Sequence, residues 1–131
     1  MRAPAPSSRS APAPATAVGA VLTKATMRSA GLMGLNNAVL AKAVGLSEAS
    51  ISRMSSGAKV FEAGSKPAEL AALVIRVYRS LDALVGNSDE HRRLWMTRYN
   101  RALNAIPKEA MQSAEGLVRV VNYLDGARAL A

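Results

Sequence analysis

Apolar residues recur at helical spacing along most of the chain, and no stretch alternates as a half-buried strand would. The clearest stripe is Leu70, Leu73, Val74, Val77, Tyr78, Leu81, Leu84 and Val85, which keeps the i, i+3, i+4, i+7 pattern over several turns. Pro67 suits its first turn and Gly86 its stop. A stripe of this length predicts a helix that packs on both halves of the molecule or on a second copy. Upstream, Val18, Leu22, Ala25 and Ser29 share one face of a first helix, with Thr16 as its cap and Lys24 and Arg28 outside. Gly31 and Gly34 end it, and Leu32 and Leu35 tie down the connection that follows. Downstream, Ser88 caps a helix that carries Asp89 and Glu90 in its first turn, where the macrodipole favours acids. Trp95, Tyr99, Leu103 and Ile106 descend one side of it, Arg92, Arg93, Arg98 and Arg101 the other, until Pro107 breaks the pattern. After a short turn over Lys108 to Gln112, Ser113 opens a last helix with Leu117, Val120, Val121 and Leu124 inward. Gly126 is its expected C-cap, leaving Ala127 to Ala131 as a tail.

Between the first helix and the long stripe lies NAVLAKAVGLSEASISRMSSG, Asn37 to Gly57, which divides into two short amphipathic segments around a glycine. This is the sequence form of a helix-turn-helix. Ala41 is small where two helices must cross, and Gly45 sits where the turn needs a positive φ. Leu46 points back between the helices. Ser47 caps the second helix, and Ile51 and Met54 pack on Ala41 and Val44. Glu48, Ala49, Ser52 and Arg53 are left facing outward, with Ser50 at the margin. A pair of core helices joined by a glycine would show the same spacing. The functional reading puts the second helix in a DNA major groove, with Arg53 bidentate to guanine and Ser47, Glu48, Ala49, Ser50 and Ser52 near bases or phosphates. Lys59, just beyond, is placed for a phosphate, while Val60 and Phe61 dock on the core.

Charge strengthens that reading. The formal net charge is +8 over 131 residues. Residues 1–66 hold eight basic and two acidic side chains, residues 67–131 nine and seven. The positive excess therefore lies with the helix-turn-helix, as a polyanion partner requires. Residues 2–16, RAPAPSSRSAPAPAT, have no large apolar side chain, and residues 1–16 read as a disordered Ala/Pro/Ser tail in which Arg2 and Arg9 add at most weak phosphate contact. Its prolines defeat an amphipathic targeting helix, and no apolar stretch there resembles a secretory signal. No apolar run approaches the ~18 residues of a membrane span. The absence of cysteine excludes disulfides and thiolate metal sites and fits a reducing, cytoplasmic setting. The lone His91 belongs to no nucleophile motif, and no glycine-rich phosphate loop or metal-ligand cluster is present. Catalysis, a metal and a cofactor are not expected.

In the C-terminal half, Trp95, Asn100, Leu103, Pro107, Gly116, Val120 and Leu124, within WMTRYNRALNAIPKEAMQSAEGLVRVVNYLDG, resemble the toxin-binding domain of the Xre/MbcA/ParS antitoxins. The family shows a tryptophan, an asparagine, a proline and then a G-x-x-x-V-x-x-x-L helix; Asn104 and Ala105 stand where it often has a glycine pair. With the helix-turn-helix, the resemblance covers about residues 18–126. It implies an all-α chain, with an N-terminal Xre/Cro-like helix-turn-helix bundle over residues 17–66 and a small helical toxin-binding and dimerisation domain over residues 67–131. It also implies a type II antitoxin whose partner is a RES-domain, NAD⁺-consuming toxin, shielded by the antitoxin's C-terminal region. Carried onto this chain, Trp95, Gly116, Val120 and Leu124 take dimer or domain-packing roles, and Asp125, Arg128, Leu130 and Ala131 reach toward the toxin. Two copies would place two recognition helices on an operator palindrome. Two other readings remain open at this point: a stand-alone dimeric helix-turn-helix regulator, and a toxin-binding module whose helix-turn-helix no longer reads DNA.

Overall fold

The structure, a computed structural model, describes residues 14–130. The expected tail falls mostly outside them, as does Ala131. Seven helices follow one another among the described residues: α1 Pro14–Leu32, α2 Asn37–Val44, α3 Glu48–Ser55, α4 Lys66–Val85, α5 Asp89–Thr97, α6 Pro107–Ala110 and α7 Ala114–Leu130. The one β-type pairing among them is an isolated antiparallel bridge between Asn100 and Ala105.

The long stripe is α4, and it is the shared wall of the molecule. Its most extensive neighbours are α7 on one side and α1 on the other, and α2 and α5 also lean on it. Because it is covered from two directions, its buried positions include Ala68, Ala71 and Ser80 as well as Val74, Val77 and Leu81. Leu70, Leu73, Tyr78 and Val85 are half-buried against the core, and Leu84 remains exposed. Ser65 caps the helix, accepting from the Ala68 N–H at 3.2 Å, with Pro67 in the first turn and Gly86 closing it in the left-handed region. A single apolar cluster runs from Met33 and Leu40 through Ile51 and Phe61 to Met96, Leu117 and Leu124.

The first helix is turned relative to the sequence expectation. Its buried line is Gly19, Thr23, Thr26, Ser29 and Ala30. Val18 and Val21 are 57% and 70% exposed. Small and hydroxyl-bearing residues are inside because α1 is approached closely by backbone. The Thr23 hydroxyl donates to the Gly19 carbonyl at 2.7 Å and accepts from the Phe61 N–H at 2.8 Å. A Cβ on Gly19 would stand 2.2 Å from the Phe61 carbonyl oxygen. The helix also starts earlier than Val18, so Thr16 lies inside it and is not its cap.

Two expectations about the C-terminal half are corrected. The helix of Trp95 ends at Thr97 and does not run on to Ile106. Asn100 and Ala105 exchange two backbone hydrogen bonds at 2.9 and 3.3 Å, and the Asn100 side chain accepts from the Leu103 N–H at 3.1 Å. The resulting turn buries Leu103 while Tyr99 stays 58% exposed. Asn104 takes φ +54° there, a left-handed position that asparagine tolerates better than other non-glycine residues. Gly126 is not a cap either, since α7 continues through it to Leu130. Gly116 is the constrained one. A Cβ on it would stand 1.9 Å from the Ala110 carbonyl oxygen, so α6 can lie directly on the first turn of α7, where the Ser113 hydroxyl accepts from the Gly116 N–H at 3.0 Å.

Arg92 is the largest correction. Expected on the side of its helix opposite the Trp95 stripe, it is 1% exposed. Its guanidinium donates to Asp89 at 2.6 Å, to Asp82 of α4 at 2.8 Å, to the Leu32 carbonyl at the end of α1 at 3.2 Å and to Asn87 at 3.4 Å. It also lies 5.3 Å over the ring of Tyr78. The hydrogen bond to Asp82, helped by that to Asp89 and opposed by burial, holds the guanidinium above its ordinary pKa, so it stays charged.

Alanine at Gly19 or Gly116 is expected to destabilise the fold by about 1–3 kcal/mol through overpacking. Gly126→Ala, mid-helix with nothing within 4 Å of its added Cβ, is expected to stabilise by about 0.5–1 kcal/mol. Denaturant titration of the three variants checks the opposite signs. Arg92→Ala strips two carboxylates and a carbonyl of one donor and is expected to cost about 1–3 kcal/mol in the same assay; no measurable loss would show that solvent replaces it.

Candidate functional site

The helix-turn-helix is assembled by three local devices. The Asn36 side chain accepts from the Val39 N–H at 2.9 Å and starts α2. Gly45, at φ +75°, ends α2, its N–H and that of Leu46 both donating to the Ala41 carbonyl. Ser47 then starts α3 by accepting from the Ser50 N–H at 3.1 Å. Ala41, Val44, Ile51 and Met54 are buried between the two helices, and Leu46 is half-buried against them.

This packing turns Ser47, Glu48, Ala49, Ser52 and Arg53 to the solvent. Ser50 is different: it is 7% exposed, and its hydroxyl accepts from Ser47 and, at 3.3 Å, from the Arg53 guanidinium. Ser50 therefore orients Arg53 from behind and presents little surface of its own. The exposed face of α3 carries one arginine, one glutamate and small residues, so it can lie close to another surface, with a forked donor and a carboxylate acceptor as its strongest polar groups. Lys59 is half-buried where two shallow grooves meet, one against α1 and one against the start of α4.

The C-terminal surface is built differently. Val120 and Leu124 are fully buried and Gly116 is enclosed by α6, so this face of α7 packs inside the chain itself. Trp95 is half-buried and stacks on Tyr123, ring centroids 6.2 Å apart and planes 22° apart. Asp125 is tied to α4, accepting from Arg76 at 2.5 Å and from the Ser80 hydroxyl at 2.9 Å. Arg128 reaches the same hydroxyl at 3.4 Å. Arg76, Asp125, Arg128 and Ala129 together border a shallow, charged depression, and Leu130 beyond it is 91% exposed. The four expected tail residues thus divide. Asp125 and Arg128 are held on α4, Leu130 projects from the last turn of α7, and Ala131 lies outside the described residues.

Two further features escaped the sequence reading. An open apolar groove of about 540 Å³ separates α1 from α4, lined by Val18, Val21, Leu22, Ala25, Ala72 and Ile75 among others. Its signal was the position of Val18 and Val21, off the face that the small residues occupy. Arg119, also unassigned, donates to the Leu103 carbonyl and holds the turn before α6 against α7. Among the described residues no group of three or more metal-ligating side chains comes together, and no helix is long and apolar enough to cross a membrane.

Comparison with known families divides the chain along α4. Residues 12–76 match the antitoxin Xre-like helix-turn-helix domain. Residues 80–129 match the antitoxin Xre/MbcA/ParS C-terminal toxin-binding domain. No curated protein matches the chain. The two family matches follow each other in the order in which the helices pack, the first ending and the second beginning within α4, and the chain belongs to the Xre/MbcA/ParS antitoxin family.

Proposed function

We propose that this antitoxin binds and blocks a RES-domain, NAD⁺-consuming toxin and represses its own operon through α3, acting as a stoichiometric inhibitor that makes and breaks no bond. The observation that carries the reading is the adjacency of the two family domains, which share one apolar core. On the DNA side, it is supported by the exposed face of Glu48, Ala49, Ser52 and Arg53 and by the charge excess of the N-terminal half. On the toxin side, support comes from the protruding last turn of α7 with Arg128 and Leu130. The active form is a homodimer that sets two α3 helices on half-sites roughly 34–36 Å apart. The exposed Val18 and Val21 give α1 apolar surface that a second copy would cover.

Affinity purification of the full chain from its native cell tests the pairing. A near-stoichiometric partner with a RES-type fold is expected, and recovery of the chain alone as a dimer would point to a stand-alone regulator.

Two substitutions separate the two surfaces. Arg53→Ala is expected to weaken binding to the promoter by about 1–3 kcal/mol and to relax base preference at one position. A mobility-shift titration against single-base variants of the promoter reads both, and unchanged preference would remove Arg53 from base reading. Deletion of Ala127 to Ala131 is expected to spare promoter binding and to impair protection of cells carrying the toxin; normal growth of those cells would acquit the last turn.

A further inference from the structure

Two lysines from distant parts of the chain meet beside α3. Their registration is set by the contact between α1 and the segment that follows α3. The Phe61 N–H donates to the Thr23 hydroxyl, which itself donates to the Gly19 carbonyl, and only the missing Cβ of Gly19 lets the Phe61 carbonyl come so near. Lys59 precedes Phe61 by two positions and Lys24 follows Thr23 by one. Both therefore line one groove of about 440 Å³, together with Ser55, Ser56 and Gly57 at the end of α3. No acidic residue lines that groove. Glu62 borders the neighbouring groove that Lys59 also reaches, yet among the described residues neither lysine takes part in an ion pair.

The ordinary use of lysines at a helix C-terminus is to satisfy its last carbonyls. Here three of the last four carbonyls of α3 have partners already. Ser52 accepts from the Ser56 N–H, Arg53 from the Ala58 N–H and Met54 from the Gly57 N–H, and the Ser56 hydroxyl adds a second bond to Arg53. Both ammonium groups are thus left for a ligand outside the chain. Two point charges on separate, mutually fixed elements suit successive anionic groups along a strand better than a single small ion.

We infer that Lys24 and Lys59 form a two-point clamp on the phosphate backbone of duplex DNA, alongside the groove that α3 enters. The inference rests on the DNA-binding reading above and adds a sequence-independent contact from α1 to it. The backbone clamp of Gly19, Thr23 and Phe61 is then a positioning device for DNA as well as a packing contact.

The test is the salt dependence of binding by the full chain, measured on a duplex of its own promoter and on an unrelated duplex of equal length. Lys24→Gln and Lys59→Gln are each expected to weaken both duplexes alike and to reduce the slope of log K against log salt by about 0.9 for each protomer bound, about 1.8 for the dimer. Lys24→Arg and Lys59→Arg are expected to keep the slope. A wild-type slope in both glutamine variants overturns the clamp while leaving the DNA reading intact. So does a loss confined to the promoter duplex, which would make the lysines base readers. A wild-type chain that binds neither duplex at low salt overturns the DNA reading and the clamp together.

Discussion

Arg92 holds the architecture at its most expensive point. A guanidinium removed from water costs several kcal/mol unless its donors find acceptors, and here they come from four places: the end of α1, α4, the turn after α4 and the start of α5. No two of these segments can shift without stripping a partner from the buried charge. The same group closes the seam between the helix-turn-helix half and the toxin-binding half, because Leu32 belongs to one and Asp89 to the other. Only Nε of the guanidinium lacks a partner, so the network is nearly complete. Apolar packing around α4 supplies the bulk of the stabilisation. The charge cluster adds partners that this arrangement of the halves brings together.

The parts of this fold legible in the sequence are those decided locally. Gly45 and Ser47 declared the turn and the start of α3 because a left-handed residue and a cap act within a few positions of themselves. Ile51, Met54 and Phe61 were read as buried, and they are, since a large apolar side chain has little alternative. The all-α class and the family followed from patterns of the same kind.

What escaped the sequence was decided at a distance. Apolar periodicity singled out Val18 on α1, whereas the inside is lined by Gly19, Thr23 and Thr26, which are chosen for how near a backbone can come. Arg92 could not be told from Arg93, its exposed neighbour, without knowing that Asp82 and Leu32 would converge on it. Asn100 ended a helical pattern by bonding its own turn, and Gly126 failed to end one. Of the expected DNA-facing set, Ser50 was placed by its spacing at the edge of α3; the hydroxyl's engagement with Arg53 shows only in three dimensions.

The position of α4 has a consequence for the life of the molecule. Lys66–Val85 contributes to the packing of both halves, and the family boundary falls in its middle. Neither half can open fully without exposing the helix on which the other rests, so the chain is expected to melt in one event where two domains on a linker would show two. A protease that captures the opened chain removes both surfaces in a single act. A chain built this way presents its two surfaces together or loses them together.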